Sequence, residues 1–103
     1  MLRADPTLIV NDPIPVRHEP DRQRFAAALG GDVAVLQYRL QGQTLDLYHT
    51  EVPPAFRGRG IAEQLCRTAF EYAKANGLRV IPSCPYISGT YLRRHPEYAS
   101  LAQ

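Results

Sequence analysis

The hydrophobic pattern of this chain changes period once, at "PPAFRGRG", residues 53–60, a stretch whose prolines and glycines suit neither helix nor strand interior. Ahead of it, "VAVLQYRL" (33–40) is rich in β-formers, and "TLDLYHTEV" (44–52) alternates apolar with polar residues. Behind it, Ile61, Ala62, Leu65, Cys66, Ala69, Phe70 and Ala73 recur at helical spacing, with Arg67, Glu71 and Lys74 opposite. Period 2 requires a sheet and period 3.6 a helix lying on it, so the class is α+β.

The remaining segments extend this pattern. "VRHEPDRQRFAAALGG" gives a short strand around Val16–His18, a turn at Glu19–Asp21, a strand at Arg24–Leu29 and a turn at Gly30–Asp32. With "QGQ" (41–43) closing a further hairpin, the first half is an antiparallel meander. Gly77 stops the helix, and "LRVIPSC" (78–84) is a short buried strand. Strand, helix and strand form a βαβ unit, so its two strands are parallel and its crossover right-handed. "PYISGTYLRRH" is a shorter helix ending before Pro96, and "EYASLAQ" a final turn. Residues 1–14, with two Asp-Pro steps, are expected as an extended arm, and 15–103 as one domain.

Composition excludes several classes. Twelve basic residues face ten acidic ones without an aromatic-interleaved stripe, which argues against a nucleic-acid or membrane surface. No apolar run approaches the ~20 residues of a membrane span, and the N-terminus lacks a signal-peptide core. Cys66 and Cys84 are too few for a disulfide scaffold and lack metal-site spacing, so a metal-free, cytoplasmic protein is expected, monomeric or weakly dimeric through an open sheet edge.

A strand that passes through a glycine turn into a helix leaves the first backbone amides of the helix without partners, with the peptide dipoles adding positive charge. Gly58 and Gly60 let an anion approach, and Arg57 and Arg59 supply charges that bind phosphate in a fork. A P-loop is excluded, because Ile61 and Ala62 stand where lysine and a hydroxyl residue are required. The dinucleotide fingerprint is excluded by Glu63 at its third small position, and by context, since it belongs to the first strand of an α/β fold.

The pattern Arg/Gln-x-x-Gly-x-Gly/Ala, met by Arg57, Gly60 and Ala62, resembles the acetyl-CoA signature of the GNAT superfamily of acyl-CoA N-acyltransferases. "HTEVPPAFRGRGIAEQL", "VIPSCPYI" and "RHPEY" resemble its small single-domain group, from about residue 16 to the end. The resemblance implies a reduced GNAT-like fold in which strands 44–52 and 78–83 splay apart. Pantetheine would lie in that gap and the diphosphate on the amides of 57–62, making Val52, Arg57, Gly58, Arg59, Gly60, Ile61 and Ala62 the cofactor-binding residues. Relative to larger members, the helix pair between the first two strands and the closing C-terminal hairpin are missing, so the acceptor side is thin.

Three side chains are candidates for the chemistry. Cys84 precedes Pro85, which suits a first helical position, so the thiol is expected to cap that helix and feel its dipole. It would accept the acetyl group covalently, line the thioester pocket, or be a small buried hydrophobe. His49, on the same alternating face as Leu45, Leu47 and Glu51, is either a proton acceptor or a structural histidine. Tyr91 stands seven residues after Cys84, where the resemblance implies the acid that protonates the CoA sulfur, or it is packing. Glu51 is a weaker base candidate, Cys66 belongs to the core, His18 and His95 have no evident partner, and Arg93-Arg94 read as a solvated face that could reach a CoA phosphate. The expected function is acetyl transfer from acetyl-CoA to an unidentified amine, with a non-catalytic CoA-binding module as the alternative.

Overall fold

The computed structural model describes residues 14–103. The arm expected over 1–14 therefore lies, except for Ile14, outside the described residues. Five strands form one sheet in the order β1-β2-β3-β4-β5: β1 (Arg17–Glu19), β2 (Arg24–Leu29), β3 (Asp32–Gln41), β4 (Thr44–Glu51) and β5 (Arg79–Ile81). The first four pair antiparallel, and β4 pairs parallel with β5 across the helix α1 (Ile61–Ala75). The meander and the βαβ unit are both present. The first strand sits one residue later than expected, and β5 is shorter, because Pro82 has no amide with which to continue a ladder.

One sheet face carries the core. Phe25 pairs with Leu36 and Ala27 with Ala34, and α1 lays Ile61, Leu65, Cys66, Ala69, Phe70 and Ala73 against them. The alternation is broken once. Tyr38 pairs with Leu47 but Gln37 with His49, which leaves Tyr48 as an extra residue, a β-bulge. Because a strand alternates strictly, one inserted residue moves everything beyond it to the opposite face. Thr50 thus joins buried Leu36 on the core side, while His49 sits beside Gln37 on the exposed side. The expectation that His49 and Glu51 share a face with Leu45 and Leu47 is corrected by this bulge.

Beyond β5 the chain turns through a π-helical stretch (Ile87–Tyr91), a short helix α2 (Leu92–Arg94) and a 3-10 segment (Pro96–Leu101). Ile87, Tyr91 and Tyr98 are buried in the same core, Tyr91 and Tyr98 stacking on Phe70 with centroids 5.6 and 5.1 Å away. The C-terminus is more than a turn. Ala102 bridges Val80 in parallel, and the Gln103 amide donates to the Val80 carbonyl at 2.8 Å, covering the outer edge of β5. No helix among the described residues is long and apolar enough to cross a membrane.

Candidate active site

β4 and β5 run together only briefly. Their ladder covers Thr44–Asp46 against Arg79–Ile81, and two further ties hold the junction: Ser83 Oγ donates to Asp46 Oδ1 at 2.6 Å, and the Cys84 amide to the Leu47 carbonyl at 2.9 Å. Past Leu47 the strand is left by its neighbour, because the chain after Cys84 turns into helix. The bulge at Tyr48 falls at this same place and bends β4.

A groove opens there. One cavity of about 320 Å³ is lined by Val52, Phe56, Arg57, Gly58, Gly60, Ile61, Ala62, Glu63, Tyr86 and Arg94. A second, of about 490 Å³, continues along His49, Thr50 and Glu51. The two share Val52, Arg57, Ala62 and Tyr86, so the groove runs from the glycine turn to the end of β4.

The glycine turn makes one end of it. The first amide at the start of α1 to reach a carbonyl is that of Gln64, which donates to Gly60 at 3.2 Å. Among the described residues, no backbone or side-chain acceptor takes the amides from Gly58 to Glu63. Gly58 and Gly60 hold φ of 80° and 78°, and a Cβ on either would meet no heavy atom of the described residues within 4 Å. Neither glycine is required by packing. Both are required by backbone conformation, and both leave the space in front of the amides open. Arg57 is braced through one nitrogen, its Nε donating to the Val52 carbonyl at 2.8 Å, and its terminal nitrogens have no partner among the described residues. The Arg59 guanidinium lies over the Phe56 ring at 5.4 Å. Arg59 lines neither cavity. Unpaired amides, a helix dipole and Arg57 suit a diphosphate, so the residues present fit the anionic part of coenzyme A.

Residues expected to act together are only partly brought together. His49 lines the groove, half exposed, with Nε2 3.4 Å from Glu51 Oε1. Cys84 borders neither cavity and is 6% exposed. As expected, it sits at the helix start, but through its carbonyl, which accepts from the Ile87 and Ser88 amides at 2.9 and 3.1 Å. Its thiol does not cap that helix, and points to β4 instead, donating to Thr50 Oγ1 at 3.5 Å. Thr50 is therefore the residue between the sulfur and the groove. Tyr91 borders neither cavity; it is fully buried between Phe70 and His95, its hydroxyl has no partner among the described residues, and burial pushes its phenol well up. Cys66 is fully buried, and burial pushes its thiol far above the usual range.

Sequence reasoning missed Tyr86, which lines both cavities and whose phenol burial pushes up to about 12. It also missed Thr50, Phe56 and Glu63. Arg94, read as a solvated residue, stands on the groove wall tied to Glu63 at 2.8 Å, and His95 has a partner in the same carboxylate. The string "CPY" placed Tyr86 just inside the short helix, which was the available signal.

The family model of GCN5-related N-acetyltransferases matches residues 24–101 of this chain. The chain belongs to the GCN5-related N-acetyltransferase family. Proteins called NATD1 are similar to it along most of their length. That of Mus musculus is 41% identical over 101 residues, which is 93% of this chain and 91% of the mouse protein. That of Xenopus tropicalis is 43% identical over 86 residues, 81% and 78% of the two chains. The solution structure of a GCN5-like protein from Staphylococcus aureus has the same fold, with a TM-score of 0.63 over 88% of this chain and 89% of that one, at 19% identity. Members of the family use acetyl-CoA as co-substrate.

Proposed function

We propose that this protein is an acetyl-CoA-dependent N-acetyltransferase whose acceptor is an amine entering at the His49–Glu51 end of the groove. One observation carries the reading: the amides from Gly58 to Glu63, without an acceptor among the described residues, open into a groove that continues to a histidine. Acetyl-CoA supplies the activated acetyl thioester. The chain's own residues would do the rest. The amides and Arg57 would hold the diphosphate, and Val52 and Ala62 would flank the arm. His49, oriented by Glu51, would take the proton that the amine loses as its new bond to the carbonyl carbon forms. The carbon–sulfur bond breaks, and a phenol would return a proton to the departing sulfur. That role, expected of Tyr91, suits Tyr86 better, because Tyr86 borders the groove and burial keeps its proton on.

Cys84 enters this scheme as an acyl acceptor or as the floor of the groove. A sulfur-to-sulfur transfer is nearly isoenergetic, and the thiol touches Thr50, which lines the groove. Intact mass after incubation with acetyl-CoA separates the two. A single acetyl adduct, lost in Cys84→Ala and kept in Cys66→Ala, supports the covalent route; an unmodified wild type removes it.

Calorimetric titration with CoA, followed by CoA release across a panel of amines, tests the function itself. Binding with amine-dependent release supports an enzyme. Binding with no release for any amine points to the CoA-binding module, and no binding at all overturns both.

A further inference from the structure

A carboxylate is out of place in a site for phosphates, yet Glu63 sits in the first turn of α1, on the wall of the cavity that the glycine turn forms. Its surroundings resolve the conflict. Arg94 Nη1 donates to Glu63 Oε2 at 2.8 Å, and His95 Nε2 lies 3.3 Å from Oε1. Arg94 holds the carboxyl below its usual range, with His95 adding to the effect. Both oxygens are thus occupied by the segment "RRHPEY", which is packed onto α1 again at Tyr98, whose hydroxyl donates to Glu71 at 2.5 Å. Arg94 uses one terminal nitrogen for this contact. A guanidinium has five N–H donors, so the rest of the fork is left for another oxygen. Arg94 also lines the same cavity as the amides, although it comes from the far end of the sequence.

We propose that Arg94 is a ligand of the coenzyme's diphosphate and that Glu63 is the residue that positions it. This rests on the coenzyme reading above and adds a wall to it. The amides and Arg57 would hold the diphosphate from the turn, and Arg94 from across the cavity. Glu63, 27% exposed, restrains a long side chain that would otherwise be disordered by its own rotamer freedom, since Arg94 is 63% exposed. Tethering of this kind lowers the entropy lost when the anion binds. The two ion pairs of Glu63 are therefore a support for the site as well as a clasp between α1 and the C-terminal segment.

The test is calorimetry with CoA, dephospho-CoA and pantetheine on wild type, Arg94→Ala, Arg94→Lys, Glu63→Ala and the double variant, with melting temperatures measured alongside. A charge-assisted contact at a largely exposed site predicts that Arg94→Ala weakens CoA roughly five- to twentyfold. Dephospho-CoA, which keeps the diphosphate, should lose by the same factor, and pantetheine, which has none, by no measurable factor. Arg94→Lys should fall between wild type and alanine. Glu63→Ala should weaken CoA in the wild-type background and not in the Arg94→Ala background. Three outcomes overturn the proposal. Arg94→Ala binds CoA like wild type; the loss appears with CoA alone and not with dephospho-CoA; or Glu63→Ala tightens CoA, which would make the carboxylate a plain repulsion. If wild type itself binds no CoA, the coenzyme reading falls with it; if wild type binds and Arg94→Ala binds equally, only this assignment falls.

Discussion

Replacing Gly60 by alanine separates the two jobs that this residue has. At φ of 78° a side chain costs about 1–2 kcal/mol, and the lower entropy of the unfolded alanine chain offsets about 0.4–1 of that. The added Cβ meets no heavy atom within 4 Å, so no packing penalty is added. The net loss of stability is about 1 kcal/mol, which for a domain of this size lowers Tm by about 4–8 °C. Binding should suffer more. The methyl group would stand where an anion has to approach the amides, and one hydrogen bond to a charged group is worth about 1.5–3 kcal/mol. Kd for CoA should therefore rise about ten- to a hundredfold, read by calorimetry beside a thermal melt. Gly42 is the control. It has the same handedness, φ of 60°, in the β3–β4 turn, and likewise no atom within 4 Å of an added Cβ. Gly42→Ala should lower Tm to a similar degree and leave Kd unchanged. A Gly60→Ala protein that melts lower but binds CoA within twofold of wild type would refute the reasoning, since the glycine would then serve the turn alone.

Other outcomes follow from the same contacts. Burial lowers the pKa of His18, which packs against Phe25 and Tyr72 and bonds Tyr38 at 2.7 Å, below that of an unfolded histidine. Its contribution to stability is present above about pH 6.5 and is lost as pH falls from there through the folded value, so a urea-midpoint profile should slope downward in that window and flatten in His18→Gln. Leu47→Ala, at a fully buried position where the strands part, should cost about 2–5 kcal/mol by denaturant unfolding. Tyr98→Phe should cost about 0.5–1.5 kcal/mol in the same assay through its lost bond to Glu71, without a change in CoA affinity.

The fold was legible where local pattern decides it. Alternation marked β3 and β4, helical spacing marked α1, and the order strand–helix–strand fixed the parallel pair. The glycine turn was legible for the same reason, since unpaired amides at a helix start depend on neighbours in sequence. What stayed hidden depends on neighbours in space. A bulge leaves no mark in an alternating string, so His49 was read on the wrong face. The C-terminal bridge to Val80 joins residues far apart in the chain. So do the ties from Glu63 to Arg94 and His95, which put Arg94, one of a solvated-looking pair of arginines, on a cavity wall. Tyr86 and Tyr91 are close in sequence and end in opposite settings, one on the groove and one sealed in the core.

The most direct measurement is a CoA titration of the nitrogen-15-labelled protein followed amide by amide. The account predicts that the backbone resonances from Gly58 to Glu63 move furthest and saturate together, with smaller shifts from His49 to Val52. Amides from 58 to 63 that stay in place while CoA binds, with the largest shifts elsewhere on the sheet, would contradict it.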